Sequence, residues 1–311
     1  MAGRFQTDVI RMTCILISTF DRCEKLARWT LERIDREWAN HPPAFFAGLS
    51  RRDEQSPGFD GDSQDWMGVN LQAVRRLRDS GYTHAYMILD DHPPVGHCHA
   101  GFLNERLPEL AARLGAACVG LLGYGQHRRR EGEELGPAFA HLEKTTPSYR
   151  WKFSLHPGLW NLGDLQTLLE CRMETYPQGQ RSPWNFERHR DVPGDLHVDS
   201  IAGRCFRVRG SSSLDPEFRS RCALALESLF RFAADTELFA AKLAGGKTAR
   251  DSAELRRLWM FGHYLGPYPV YWSGCMRQGK PHADFEKWLA WLGPAELKSS
   301  WRTAKAEGFL E

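Results

Sequence analysis

Polar and apolar residues follow two different spacings in the first part of the chain. Short runs rich in β-branched and apolar residues at 8–19, 43–50 and 83–91 are typical of buried strands. Between them, the segments 20–39 and 65–81 carry apolar residues at the spacing of amphipathic helices. This alternation of strands and helices predicts an α/β fold, with a mostly parallel sheet flanked by helices.

The same patterns divide the chain into three parts. Residues 1–202 hold the predicted α/β core, which includes a highly charged loop at 126–136. Residues 203–265 have a helical pattern and are expected to form an insertion. Residues 266–311 contain a strand-like run and two closing helices, and we expect this segment to return to the core.

Composition narrows the class of protein. The net charge is only +2, whereas a nucleic-acid-binding domain is usually far more basic, so no nucleic-acid partner is expected. Eight cysteines without a Cys-x-x-Cys pair indicate small buried residues in a reducing compartment. The N-terminus lacks the apolar run of a signal peptide, and no stretch approaches the ~20 apolar residues of a membrane span. A cytoplasmic protein is therefore expected.

The stretch YMILDDHPPVGHCHAG, from Tyr86 to Gly101, places two carboxylates where the third strand is predicted to end. In open α/β sheets, ligands bind beyond the carboxyl ends of the strands. Adjacent carboxylates repel each other and need a proton or a cation, which Mg²⁺ or Mn²⁺ carrying phosphates would provide. Asp90 and Asp91 are therefore candidate metal ligands, and Asp91 is the favoured one. The alternative is a pair that caps a turn or a helix.

Three histidines in the same stretch allow a second interpretation. His92, His97 and His99, together with the two aspartates, would form the metal centre of a hydrolase, since imidazole prefers zinc or iron. The alternative is that these histidines belong to a polar loop over the cleft.

Several segments together resemble glycosyltransferases. ISTFDR (17–22) and ILDDHPP (88–94) are similar to strand ends of the GT-A fold, in which an Asp-x-Asp-type motif holds a metal on the diphosphate of a nucleotide sugar. FSLHPGLWN (153–161), SPWNFE (182–187) and YWSGCMRQGK (271–280) resemble segments of family-2-like bacterial sugar transferases encoded in surface-polysaccharide clusters.

The resemblance implies a GT-A-like (Rossmann-like) fold and a glycosyltransferase activity. A sugar would pass from a nucleotide-diphosphate donor to a glycan acceptor, assisted by Mn²⁺ or Mg²⁺, in an inverting reaction with a carboxylate base. A lipid-linked acceptor would bring the helical insertion into peripheral contact with the inner face of the cytoplasmic membrane. The favoured alternative for the insertion is an ordinary amphipathic helix packed on the core. A GT-A-fold protein that binds glycan without catalysis is a further alternative.

The resemblance also implies catalytic roles. Glu187 is the candidate general base, and Asp91 is the second candidate catalytic residue through its role as a metal ligand. Asp91 and Asp164 are rivals of Glu187 for the role of base. His197 or His263 is a candidate third metal ligand.

Contacts to the two substrates follow in the same way. Trp184 and Trp160 are candidate acceptor contacts; core packing is the alternative for Trp184 and the favoured interpretation for Trp160. For Asp65 a helix N-cap is the favoured single role, and for Lys280 the alternative is an exposed loop residue. The expected nucleotide and donor contacts are polar or charged residues spread over the core: Ser18, Thr19, Arg22, Asp65, Asn70, Asp90, His156 and Lys280.

Overall fold

A computed structural model describes most of the α/β core and the C-terminal segment. The described residues are 12–56, 58–62, 64–121, 132–145, 153–188, 196–208, 267–271 and 274–308. The helical insertion predicted at 203–265 therefore lies outside the described residues from position 209 onward.

In the described part of the chain, eight strands form one sheet in the order β2-β1-β3-β7-β4-β8-β6-β5. The pairings give six strands the same direction and leave β6 and β7 opposed to them. This confirms the predicted α/β class with a mostly parallel sheet. The strands are β1 Thr13–Ser18, β2 Ala44–Ala47, β3 His84–Leu89, β4 Cys118–Gly120, β5 Gly132–Glu134, β6 Leu142–Thr145, β7 Gly158–Asn161 and β8 Cys205–Val208.

Helices cover both faces of this sheet. Successive side chains of a strand point to opposite faces, and β1 shows this directly. Ile15 and Ile17 join the apolar cluster beneath α1 and α3, whereas Cys14 and Leu16 join the cluster beneath α2 and α4. The helices are α1 Glu24–Glu37, α2 Trp66–Asp79, α3 Leu107–Leu114, α4 Leu162–Thr175, α5 Pro183–Glu187, α6 Leu196–Ala202, α7 Ala283–Leu292 and α8 Ala295–Ala306. None of the helices described is both long and apolar enough to cross a membrane.

The C-terminal segment packs against α1. Trp29 of α1 lies 5.3 Å from the ring of Trp301 in α8, and its indole nitrogen donates a hydrogen bond to Ser300 at 2.7 Å. Phe285 of α7 contacts the other side of Trp301, with 5.0 Å between ring centroids. Burial of these aromatic rings attaches residues 274–308 to the first helix of the core.

Three strands depart from the sequence-based prediction, and one of them, β6, forms in a segment for which no element was predicted. β5 forms inside the segment expected to be a charged loop, and β8 lies in the sheet although the core was expected to end at residue 202. β6 and β8 carry the ion pair between Glu143 and Arg207, both of which are largely buried. Short strands that hold charges and pair with distant segments have no clear local pattern, so only the assembled sheet identifies them.

The turn after β2 fixes the loop that follows β1. Gly48 has a φ of +91°, and a Cβ built on it would lie 2.1 Å from the carbonyl oxygen of Thr19. The amide of Thr19 donates in turn to the carbonyl oxygen of Ala47 at 3.0 Å. A residue without a side chain at position 48 therefore allows β2 to approach Thr19 closely.

Candidate active site

The candidate site lies where the parallel strands β1 and β3 end together. Ser18 pairs with Leu89, so the next residues, Thr19 and Asp90, are neighbours at the carboxyl edge of the sheet. The hydroxyl of Thr19 donates to Oδ2 of Asp90 at 2.7 Å. The hydroxyl of Thr30 in α1 donates to the carbonyl oxygen of Asp90 at 2.5 Å. Asp90 is thus held by both the first strand and the first helix.

Burial and a neighbouring charge perturb Asp90. Burial is the larger cause and the Asp91 carboxylate the second, and together they raise the pKa of Asp90 from 3.8 to about 7. The Thr19 hydroxyl and His92 act in the opposite direction but do not restore the ordinary pKa. The pair therefore resists holding two negative charges at neutral pH, and a cation beside it would relieve the repulsion.

The raised pKa predicts how the stability of the metal-free protein changes with pH. Between pH 3.8 and about 7 the folded protein holds a proton on Asp90 that the unfolded chain has released. Stability should therefore fall as the pH rises through this window. Asp90→Asn cannot ionise and keeps an oxygen for the Thr19 hydroxyl, so it should flatten the slope. Urea unfolding between pH 5 and pH 8 with a chelator present measures this, and equal slopes in the two proteins would contradict it.

Two cysteines lie in the electrostatic field of the same carboxylates. Burial, followed by the charge of Asp90, raises the pKa of the Cys23 thiol to about 11. Burial also raises the pKa of Cys275 well above its ordinary value, with further contributions from Asp91 and Asp90. Both sulfurs are therefore neutral thiols, and the negative field that acts on them favours a cation at the two aspartates.

The carboxylate of Asp91 is partly exposed and has a defined partner. Its side chain is 22% exposed, and Oδ1 lies 2.6 Å from Nδ1 of the buried His92. Its carbonyl oxygen accepts a hydrogen bond from the amide of Cys275 at 2.7 Å. Asp91 is thus anchored through its backbone and through one carboxylate oxygen while the side chain still reaches solvent.

The antiparallel strand β7 brings a second group of residues to this edge. Met87 of β3 pairs with Gly158, so the residues just before β7 lie beside the carboxyl end of β3. The ring of His156 is 5.5 Å from that of His92, and its Nδ1 lies 2.6 Å from the hydroxyl oxygen of Ser154. The predicted donor residue His156 therefore lies next to His92, which in turn bonds to Asp91.

Glu187 reaches the same place from α5. Ser182 caps this short helix and Pro183 begins it, so Glu187 is its last residue. The amide of Leu155 donates to Oε1 of Glu187 at 2.7 Å, and the Ser154 side chain also hydrogen-bonds to this carboxylate. Burial raises the pKa of Glu187, while these hydrogen bonds and the charge of His92 lower it. A buried carboxyl group with a raised pKa is a suitable proton acceptor near neutral pH.

Two of the predicted nucleotide contacts carry unsatisfied polar atoms. Oγ of Ser18 and Oδ1 of Asn70 are both buried and have no hydrogen-bond partner among the described residues. The amide group of Asn70 is held by the carbonyl oxygen of Trp66 at 2.8 Å. Because buried polar atoms are normally paired, each of these two oxygens is a place for an ordered water. The side chains of Ser18 and Asn70 are only 2% and 0% exposed, so a nucleotide would not reach them directly as predicted.

The remaining predicted contacts are at the surface. Arg22 is exposed and lies over the ring of Phe20, with 5.8 Å from its guanidinium carbon to the centroid. Lys280 and Arg277 are exposed on a hairpin formed by β9 (Met276–Arg277) and β10 (Lys280–Pro281). Trp184 is 71% exposed on α5, which ends at Glu187. These side chains are accessible to a substrate.

Three predictions need correction. Trp160 is 1% exposed and packs against Phe186, so it is a core residue and cannot contact an acceptor as predicted. Asp65 caps α2 by accepting from the amide of Gly68 at 2.9 Å, and it pairs with Arg181, which leaves it a structural role. Asp164 is not a rival base, because it lies at the opposite edge of the sheet from Asp90.

Asp164 lies at the opposite edge of the sheet. It follows Asn161, which pairs with His84 at the start of β3, and it forms an ion pair with Arg204 at 2.6 Å. The length of β3 therefore separates Asp164 from Asp90. The candidate third metal ligand His197 is exposed on α6, and His263 lies outside the described residues.

The histidines expected for a hydrolase centre do not converge. His92 bonds to Asp91, His97 lies 2.8 Å from Glu37 at a surface position, and Nδ1 of His99 accepts from the amide of Phe102 at 3.0 Å. Within the described ranges, no group of three or more His, Cys, Asp or Glu residues is placed to hold a metal ion. A cation at Asp90 and Asp91 would therefore need oxygen atoms from a bound substrate or from water to complete its coordination.

An open cavity of about 700 Å³ lies at the other edge of the sheet. It is lined by residues that include Arg75, Arg78, Tyr82 and Asn161. Arg75 pairs with Glu170, and Arg78 bonds to Gln166. Because neither paired carboxylates nor histidines line this cavity, the chemistry places the candidate active site at the carboxyl edge instead.

The fold and the site together define an α/β protein with a mostly parallel sheet and a carboxylate pair beyond the ends of β1 and β3. No protein-family model matches the chain, and no curated protein or solved structure matches it either.

Proposed function

We propose that this protein is a metal-dependent glycosyltransferase with a GT-A-like fold. It would transfer a sugar from a nucleotide-diphosphate sugar to a glycan acceptor. The observation that carries the proposal is the adjacent pair Asp90 and Asp91 at the carboxyl edge, where burial and mutual repulsion raise the pKa of Asp90 to about 7. Such a pair suits a divalent cation that also binds phosphate oxygens.

The donor would bind across the ends of β1 and β3. Asp91, whose side chain reaches solvent, is the principal ligand for Mn²⁺ or Mg²⁺, and Asp90 is the second. The bound cation would neutralise the departing diphosphate. The exposed cations Arg22 and Lys280 would give further positive charge for the phosphate groups.

The acceptor would be activated by Glu187. In an inverting transfer, one carboxylate removes the proton of the acceptor hydroxyl as the glycosidic bond forms. Glu187 is buried, lies within the electrostatic reach of His92, and has a raised pKa, so it is suited to accept that proton. Trp184, exposed on the same helix, offers an aromatic face on which an acceptor sugar can stack.

The biological setting of the proposal comes from the sequence resemblance. The segments FSLHPGLWN, SPWNFE and YWSGCMRQGK resemble those of bacterial surface-polysaccharide transferases. We therefore propose a growing glycan, free or lipid-linked, as the acceptor.

Titration calorimetry with UDP, GDP, CMP and dTDP, with and without Mn²⁺, tests the proposal. We expect one nucleotide to bind, and to bind more tightly when Mn²⁺ is present. Absence of binding by all four would contradict the proposal, and zinc or iron retained after purification would then favour a hydrolase. Metal-dependent nucleotide binding without sugar transfer would indicate a protein that binds its ligands without catalysis.

A further inference from the structure

Gly274 packs directly on the Asp91 carboxylate. Gly274 has a φ of +74°, and a Cβ built on it would lie 2.4 Å from Oδ2 of Asp91 and 2.8 Å from Cγ. The same Cβ would be 3.1 Å from the carbonyl oxygen of Asp91. No side chain fits between the two residues as they stand, because Cβ atoms in real proteins do not approach other heavy atoms this closely.

Gly274 cannot easily withdraw, because its segment is attached at several points to the loop after β3. The amide of Cys275 donates to the carbonyl oxygen of Asp91 at 2.7 Å, next to the close contact itself. The segment just before it is attached as well, through Tyr268 to the carbonyl oxygen of His92, Pro269 to the amide of Val95, and a bridge between Pro94 and Val270. A side chain at position 274 would therefore displace the carboxylate before it displaced the backbone.

The opposite side of the carboxylate is held by His92. Nδ1 of His92 lies 2.6 Å from Oδ1 of Asp91, whereas Gly274 limits the space around Oδ2. Two contacts on different oxygens determine the rotation of the carboxylate group. Because a metal ligand needs a defined direction, contacts of this kind tune metal affinity without touching the metal.

We infer that Gly274 is a positioning residue that sets the direction of the Asp91 carboxylate for a divalent cation. The inference rests on the proposed function, since it assigns Gly274 to the same metal site. This positioning role differs from a requirement for glycine that comes from the positive φ alone. Gly308 provides the comparison, because its φ is +76° and, among the described residues other than its chain neighbours, no atom lies within 4 Å of the position of its Cβ.

The test compares Gly274→Ala with Gly308→Ala by Mn²⁺ titration of the metal-free protein. Both variants introduce a side chain at nearly the same backbone angle, so both should lose some thermal stability. Only Gly274→Ala should weaken Mn²⁺ binding, by about 10-fold or more, which is the usual effect of a group that orients a metal ligand. Nucleotide binding measured without metal should be retained in both. Equal Mn²⁺ affinity in Gly274→Ala and wild type would overturn the inference.

A double-mutant cycle keeps the inference testable if Gly274→Ala folds poorly or if the wild type binds no Mn²⁺. In an Asp91→Ala background the carboxylate is absent, so adding Gly274→Ala should lower the melting temperature much less than it does in the wild type. An equal loss in both backgrounds, or failure of the double variant to fold, would overturn the inference. A wild type that binds neither Mn²⁺ nor nucleotide would instead contradict the proposed function, and the cycle would still report on the contact between Gly274 and Asp91.

Discussion

Asp91→Asn is expected to remove the metal dependence of nucleotide binding and to lower sugar transfer by about 100-fold or more. The substitution keeps the size of the side chain and one oxygen for His92, but it removes the negative charge that a divalent cation requires. The backbone hydrogen bond from Cys275 is unaffected, so the loop should keep its position. Nucleotide titration with and without Mn²⁺, followed by a transfer assay with the nucleotide sugar that binds, measures both effects.

Asp199→Asn is the matched control for this substitution. Asp199 is exposed on α6, away from the strand ends, and changing it removes the same charge. It should leave nucleotide affinity and its Mn²⁺ dependence unchanged. If Asp91→Asn bound nucleotide with the same Mn²⁺ dependence as the wild type, Asp91 would not be the principal metal ligand.

Glu187→Gln is expected to slow sugar transfer by about 10²–10⁴-fold with little change in nucleotide affinity. Glutamine keeps an oxygen that can accept from the Leu155 amide, so the local structure should persist. It cannot remove a proton from the acceptor hydroxyl. In the wild type the rate should rise with pH as Glu187 ionises, at a pH above the ordinary range for a glutamate, because burial raises its pKa. That rise should disappear in Glu187→Gln.

Two further variants separate catalysis from structure at this position. Glu187→Ala leaves the buried Leu155 amide without its acceptor, so it should lose about 1–3 kcal/mol of stability in addition to activity. Glu174→Gln, at an exposed position in α4, removes the same charge elsewhere and should change neither property. A Glu187→Gln protein with normal rates would exclude Glu187 as the base, and a parallel loss of nucleotide affinity would indicate a role in donor binding instead.

Much of the fold could be predicted because its first half is locally regular. The runs that become β1, β2 and β3 are apolar and β-branched, and α1 and α2 carry a clear helical spacing. The short strands β6 and β8 could not be predicted, since each has four residues with charged or polar side chains among them. Their stability comes from pairing with distant segments and from the ion pair between Glu143 and Arg207, which no local window contains.

Some residues of the candidate site could likewise be predicted from the sequence, and others could not. Asp90 and Asp91 were predictable, because they are adjacent in sequence and directly follow a buried strand. The contact of Thr30 could not be predicted, because a threonine inside a helix has the same sequence pattern as any other polar residue there. Its hydroxyl reaches the carbonyl oxygen of Asp90 only when α1 packs on the sheet. Trp160 was misjudged for a related reason, because the sequence does not reveal which face of β7 is covered by the buried Phe186.

By itself, the sequence determined the α/β class, the parallel arrangement of the first three strands and the carboxylates at the end of the third. Hydrophobic periodicity is a local property, so it can be recognised from the sequence alone. Only the tertiary structure decided which side chains meet those carboxylates. The contacts of Thr19 and Gly274 with the aspartates, and that of Glu187 with the nearby Leu155 amide, depend on strand order, on the direction of β7 and on the return of the C-terminal segment. These features arise from packing between residues far apart in the chain.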